Sequence, residues 1–275
     1  MMTPDAEPTE AAVSATRPAT MHATMHATMP ATMHAIGRDN VATFASAWSL
    51  EQYAGTPGLF PHEAELVRRF FPPPPARILD LGCGAGRTTV PLAAMGYDVV
   101  AFDPSAALIG AAQRRTRAIP WLRMDAAALA FPDRSFDVAF FSYNGLDCIF
   151  PLAARERALR EVFRVLRPGA PFVFSANNLV GRFFSGGWFY LKGYWHTLRF
   201  LAEQASNPHW RDHYFRFRDG SGTMLLHFGS PAITTAQLRR AGFADIEVQS
   251  PDGPRTAHHL YWHVAHAQYI ARRPA

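Results

Sequence analysis

The chain has 275 residues, 48% of them hydrophobic, which suits one large domain with additions. Its formal charge of +5 rests on scattered arginines, with Lys192 the single lysine, so the clustered face of a nucleic-acid binder is not expected. No apolar run reaches the roughly 20 residues that a membrane helix needs, and Cys83 and Cys148 are too few for a disulfide framework.

The start lacks the basic and apolar regions of a signal peptide, and with the sparse cysteines this points to a reduced, cytoplasmic setting. From Met21 to Ala35 the unit Met-His-Ala-Thr recurs with a period of four, broken at Pro30. Such a stretch cannot build a core, so a disordered tail is expected over residues 1–40 and a folded domain over 41–275. His22 and His26 stand at helical spacing for a shared metal, but a replicated repeat accounts for them without one. Behind Pro61, the residues Ala64, Leu66, Val67, Phe70 and Phe71 recur at near-helical spacing, and Pro72 to Pro75 stop that helix.

The centre of the chain is Arg77-Ile78-Leu79-Asp80-Leu81-Gly82-Cys83-Gly84-Ala85-Gly86-Arg87-Thr88-Thr89. Ile78, Leu79 and Leu81 read as a strand buried on both faces. Gly82, Gly84 and Gly86 permit a turn against which a ligand can lie on bare backbone, and a helix from Thr88 to Met95 follows. A dinucleotide fingerprint needs G-x-G-x-x-G, whereas here the third glycine comes one residue early and Arg87 holds its place. Asp80 sits at the end of the first strand, where an acid repels a pyrophosphate and suits an ammonium group. A second apolar run, Val99 to Phe102, ends in Asp103, and Asp125 closes the run Trp121 to Met124. Three acids on successive strand ends, with no phosphate-binding lysine, describe a site for a cationic nucleoside such as S-adenosylmethionine.

Residues 77–177 resemble the core of the class I S-adenosylmethionine-dependent methyltransferases. The matching blocks are LDLGCGAGRTT, VVAFDPS, MDAAALAFPDRSFDVAF and REVFRVLRPGAPFVFSANN, in that order. The resemblance implies an α/β, Rossmann-like, seven-stranded, mostly parallel sheet with helices on both faces and an antiparallel final strand. It implies that Asp80, Gly82, Cys83, Gly84 and Gly86 border the methionine moiety, Asp103 with Pro104 the ribose, and Asp125 with Ala126 the adenine. Ser142, Tyr143 and Asn144 would stand beside the sulfonium, and Tyr53 is a candidate contact from the segment before the core.

Further along, Ser105 caps a helix over Ala106 to Arg117, and Phe136 to Phe141 reads as the fourth strand. Leu152 to Leu166 reads as a helix stopped by Pro168-Gly169, and Phe172 to Phe174 as the fifth strand. Thr234 or Thr235 is expected to cap a later helix, followed by strands over Phe243 to Val248 and Tyr261 to Ile270. Between them, residues 178–230 are dense in aromatics, among them Phe183, Trp188, Tyr194, Trp195, Trp210, Tyr214 and Phe217. This stretch is expected to fold as an inserted cap. Its rings either shape an apolar acceptor pocket or bury the cap's own core or a homodimer interface.

The function expected is methyl transfer to a small-molecule acceptor, apolar or aromatic. A base is needed only for a protonated acceptor, and the candidates are His213 and Tyr143, then His209, His227 and Asp147. His258, His259, His263 and His266 fit no metal signature, and no catalytic metal is expected. A nicotinamide oxidoreductase and a non-catalytic binding protein of the same fold are the alternatives.

Overall fold

A computed structural model of the chain describes residues 31–46, 48–51, 58–185 and 191–275. Helix α1 (Ala31–Phe44) begins inside the stretch expected to be a tail, so the boundary at residue 40 falls within a helix. His22, His26 and Tyr53 lie outside the described residues. Helix α2 (Pro61–Phe70) starts with Pro at its first turn and turns Leu66 and Val67 inward.

The sheet follows from apolar runs long enough for strands and too short for core helices. Strand β1 (Arg77–Leu81), with four successive buried residues, leads through the glycine turn into α3 (Thr89–Ala94). Strand β2 (Asp98–Asp103) leads into α4 (Ala106–Arg115), capped by Ser105, whose Oγ accepts from Leu108 N. Strand β3 (Trp121–Arg123) and strand β4 (Val138–Phe141) come next, then α5 (Leu152–Val165) and β5 (Pro171–Asn177). Helix α5 buries Ala154, Ala158, Leu159, Val162 and Val165, spaced by three and four, so one stripe packs on the sheet.

The insertion carries α6 (Leu179–Ser185), α7 (Leu191–Gln204) and a hairpin of β6 (Tyr214–Asp219) with β7 (Gly222–His227). The chain ends with α8 (Pro231–Ala241), β8 (Ala244–Gln249), α9 (Ala257–His263) and β9 (His266–Arg272). Ser230, not Thr234 or Thr235, caps α8: its Oγ accepts from Ile233 N, while Thr234 is buried. The expected final strand from Tyr261 is in its first part a helix, because Thr256 Oγ1 caps His259 N and starts a turn there. The strand begins five residues later.

All seven core strands form one sheet in the order β3-β2-β1-β4-β5-β9-β8. Strands β1 to β5 pair in parallel, and β9 runs antiparallel to both β5 and β8. The order reverses between β1 and β4, and a crevice opens there at the carboxyl ends of the two strands. The glycine turn after β1 and Ser142-Tyr143 after β4 stand at that place.

The hairpin is built onto this edge rather than being independent of it. Tyr214 is buried against Phe150 and Leu225, and its hydroxyl donates to Ile149 O at 2.5 Å. Asn40 of α1 binds β7 on both sides, its Nδ2 donating to Leu225 O at 2.8 Å and its Oδ1 accepting from Leu225 N at 3.0 Å. The same Nδ2 donates to Cys148 O at 3.1 Å. Described cap rings therefore bury a small core that holds α1 over the sheet edge. The side chains of Phe183, Phe184, Tyr194 and Trp195, and the whole of Trp188, Phe189 and Tyr190, lie outside the described residues.

Candidate functional site

The glycine turn assigns its three glycines different tasks. All three have positive φ, of 59° at Gly82, 55° at Gly84 and 85° at Gly86. A Cβ on Gly82 would meet the Phe141 ring at 2.6 Å, and one on Gly86 the Trp121 ring at 2.6 Å. At Gly84 nothing lies within 4 Å, so this backbone faces open space. Gly82 and Gly86 are packing requirements, and Gly84 is the bare surface. Gly86→Ala is thus expected to destabilise the fold by about 1–3 kcal/mol, read as a lowered melting temperature. Gly84→Ala should cost less stability and instead abolish ligand binding.

Asp103, at the tip of β2, is bound to this surface. Its Oδ2 accepts from Gly84 N at 3.0 Å and its Oδ1 from Ser105 N at 2.8 Å. Only 7% exposed, it lines a cavity of about 1890 Å³ at the sheet edge. Burial pushes its pKa up to about 6, against the pull of those two backbone donors. Asp80 is completely buried beneath the turn, where its Oδ2 accepts from the Thr88 and Thr89 hydroxyls at 2.7 and 2.6 Å. It ties the start of α3 back to β1, and burial also raises its pKa to about 6. Its Oδ1 meets no hydrogen-bond partner among the described residues.

The cavity brings together nine of the twelve residues expected to hold the cofactor: Gly82, Cys83, Gly84, Asp103, Pro104, Asp125, Ala126, Ser142 and Tyr143. Asp125 is exposed and its Oδ1 accepts from Ala127 N at 2.8 Å, fixing the turn after β3. Burial holds the Cys83 thiol well above its ordinary pKa, so it is a neutral wall. Three residues are placed elsewhere. Asp80 is buried beneath the turn, Gly86 packs the end of the turn against the Trp121 ring, and Asn144 turns its amide to His266 Nδ1 at 3.0 Å.

Of the two candidate bases, Tyr143 lines the cavity, in left-handed backbone with φ 54°. His213 does not line it: it ends the short turn Trp210–Asp212, its ring 6.1 Å from that of His227. His227 and Asp147 belong to a separate, fully buried network. There, Asp147 accepts from Arg155 Nη1 at 2.8 Å, and from Asn177 N at 2.6 Å. Burial lowers the His227 pKa to about 4, so this ring stays neutral.

One element was absent from the sequence reading. Arg87 donates to both oxygens of Glu63, at 2.6 and 2.7 Å, and to Ser142 Oγ at 2.7 Å, while Ser142 Oγ donates to Glu63 Oε1. Burial raises the Glu63 pKa, but the bonds and charge of Arg87 outweigh it and leave the carboxyl below its usual range. The guanidinium also lies 4.2 Å from the centre of the Phe60 ring. This cluster joins α2 to the glycine turn and the tip of β4. Glu63 reads in sequence as an ordinary acid in a first helical turn, 24 residues from its partner, so nothing local marks it.

These groups fit S-adenosylmethionine. Gly84 leaves a surface a Cβ would fill, Asp103 is a buried carboxylate facing the cavity, and Asp80 keeps one buried oxygen unmet. At the third-glycine position, where a dinucleotide fingerprint needs glycine for close helix–strand packing, stands Arg87, its guanidinium already paired with Glu63.

Comparison with known proteins points the same way. Residues 78–169 match the model of a family described as a methyltransferase domain. A demethylmenaquinone methyltransferase of Renibacterium salmoninarum is 37% identical over 100 residues, 36% of this chain and 40% of that protein. A 2-phytyl-1,4-naphtoquinone methyltransferase of Synechococcus elongatus is 40% identical over 106 residues, 35% of this chain and 44% of that protein. The chain thus spans less than half the length of these relatives. Among solved structures, a SAM-dependent methyltransferase of Methanosarcina mazei superposes with a TM-score of 0.59 at 22% identity, covering 79% of this chain and 99% of that one. A 1,6-didemethyltoxoflavin-N1-methyltransferase of Burkholderia thailandensis gives 0.55 at 18% identity, covering 90% and 91%. Residues 78–169 match a methyltransferase-domain model, and the fold built around them is the one found in these S-adenosylmethionine-dependent methyltransferase structures.

Proposed function

We propose that this chain transfers a methyl group from S-adenosylmethionine to a small-molecule acceptor with an apolar or aromatic body. The observation that carries this reading is the pairing of Asp103 with Gly84: a buried carboxylate and an open, Cβ-free backbone, joined by a 3.0 Å hydrogen bond inside one cavity. Bound there, the cofactor supplies a methyl already activated on a sulfonium. The chain's work is then to hold and align the reactants, which supplies about 7–11 kcal/mol of a barrier when geometry is good. Asp103 accepts from the ribose hydroxyls, Gly84 gives close approach, and the Glu63–Arg87–Ser142 cluster fixes the tip of β4 on the opposite side. Tyr143, which lines the cavity, is our candidate for the group that takes an acceptor proton.

Val41 and Phe44 of α1 line the cavity together with Ile149 and Phe150, an apolar lining suited to a flat apolar body. Relatives named for naphthoquinone acceptors agree with such a body, although the family match stops at residue 169 and leaves out α1. Both cysteines remain thiols, in keeping with a reduced cytoplasmic setting, and no described helix is long and apolar enough to cross a membrane. Incubation with methyl-tritiated S-adenosylmethionine and a panel of small phenols, acids and amines tests the reading. Label passing to a small molecule is expected. Cofactor binding with no transfer to any acceptor would favour the non-catalytic alternative.

The pKa of Asp103 predicts a pH dependence. The ionised carboxylate is the acceptor of both hydroxyls, so affinity for S-adenosylhomocysteine should be full above about pH 6.5 and fall as pH drops through about 6. Calorimetric titrations from pH 5 to 8 check this. Asp103→Asn should bind more weakly and lose most of the slope.

A further inference from the structure

A second recess, of about 890 Å³, opens at the end of α4 and shares no lining residue with the large cavity. Its lining includes the consecutive residues Gln113, Arg114, Arg115, Thr116 and Arg117, every one of them a hydrogen-bond donor. Arg114 lies back over Gly110, its Nη1 3.6 Å from where a Cβ would stand. Arg115 Nη1 donates to Ala85 O at 3.1 Å, which holds that guanidinium against the glycine turn and leaves its other nitrogens for a ligand. Trp121, also in the lining, is fixed by its Nε1, which donates to Thr116 O at 2.9 Å. No carboxylate lines the recess, and the sequence carries no Asp or Glu from Pro104 to Met124. Among the described residues, every ion pair between an arginine and a carboxylate is made by arginines other than these three.

The carbonyl end of a helix calls for a cation, but it carries only about half an elementary charge. Helix α4 ends at Arg115, and Arg117 stands beyond it. Three full positive charges, all exposed, are more than that helix end needs. We infer that this recess binds a soluble anion carrying several phosphate groups, held by Arg114, Arg115 and Arg117. Planar guanidinium forks meet phosphate oxygens with paired donors, and three of them in one recess match a ligand with several negative charges. The recess is of small-ligand size. This site goes beyond methyl transfer and does not rest on it.

Calorimetric titration of the whole protein with orthophosphate, pyrophosphate and tripolyphosphate tests the inference. Affinity should rise with each added phosphate, tripolyphosphate binding at one site per chain and at least about tenfold more tightly than orthophosphate, and it should weaken with salt. The double variant Arg114→Gln/Arg117→Gln should lose at least about tenfold for tripolyphosphate. Arg114→Lys/Arg117→Lys, which keeps the charge and loses the forks, should lose less. Arg239→Gln/Arg255→Gln removes two exposed charges elsewhere and should stay within about twofold of wild type, which separates a site from the general attraction of a basic surface. The titrations contain no S-adenosylhomocysteine, so failure of the methyl-transfer reading leaves their outcome unaffected. No binding of tripolyphosphate, an undiminished affinity in Arg114→Gln/Arg117→Gln, or equal losses in the two glutamine variants would overturn the inference.

Discussion

Asp103→Ala is expected to weaken the binding of S-adenosylhomocysteine by about 1–3 kcal/mol, a loss of roughly fivefold to more than a hundredfold in affinity. The size follows from what the side chain does in the folded protein. It is a charged acceptor, 7% exposed, with one oxygen on Gly84 N and the other on Ser105 N. Its removal takes away the acceptor for the ribose hydroxyls and frees the turn that Gly84 occupies. Because burial raises the pKa of this acid, ionised Asp103 is costly to the empty protein at neutral pH. Native and unfolded chains differ in protons bound between about pH 4 and 6, the native chain holding more, so this residue's contribution to stability declines as pH rises through that window. The variant should therefore unfold at a temperature close to wild type or above it at pH 7.5 while binding poorly. Calorimetry and thermal unfolding on the same preparation separate the two effects, and unchanged affinity would contradict the ribose assignment.

Asp147→Ala produces the largest expected loss of stability, about 3–5 kcal/mol, because it strands a buried guanidinium. Asp147 and Arg155 are both fully buried. Arg155 also donates to Leu146 O at 2.7 Å and Gln237 Oε1 at 3.1 Å, and Asp147 Oδ2 accepts from both the backbone and side-chain nitrogens of Asn177. The pair joins the short turn Gly145–Cys148 after β4, α5, the end of β5 and α8. His227, the last residue of β7, packs beside it with Nδ1 at 3.6 Å from Asp147 Oδ1. Denaturant unfolding of Asp147→Ala against Asp147→Asn measures this: the amide keeps an acceptor for Arg155 and should lose less. Equal, small losses in both would show that the network is not what fixes the hairpin to the sheet.

The sheet was legible because its signals are local. Ile78, Leu79 and Leu81 form a run that only a doubly covered strand explains, and Asp80, Gly82, Gly84 and Gly86 follow in a spacing that a few turns of chain determine. The same locality made the cavity-lining residues at the ends of β2, β3 and β4 readable, since each stands at or just beyond the tip of a short strand. Which side of the turn each glycine serves was not readable. Gly86 depends on Trp121, the first residue of β3, which stands two strands from β1 in the sheet. The ion pair of Glu63 with Arg87 was hidden for the same reason, as was Asn40, 185 residues from Leu225. His213 drew notice as a histidine in an aromatic stretch, but that stretch, as far as it is described, packs against α1 and Phe150 and leaves the ring outside the cavity. A cap's side chains meet partners from several distant elements, and periodicity carries no record of them.

A crystal structure of the complex with S-adenosylhomocysteine tests the central claim most directly. The account predicts both ribose hydroxyls within hydrogen-bond reach of Asp103 and ligand atoms in van der Waals contact with the Gly84 backbone. A ligand bound elsewhere, with Asp103 and Gly84 untouched, would contradict it.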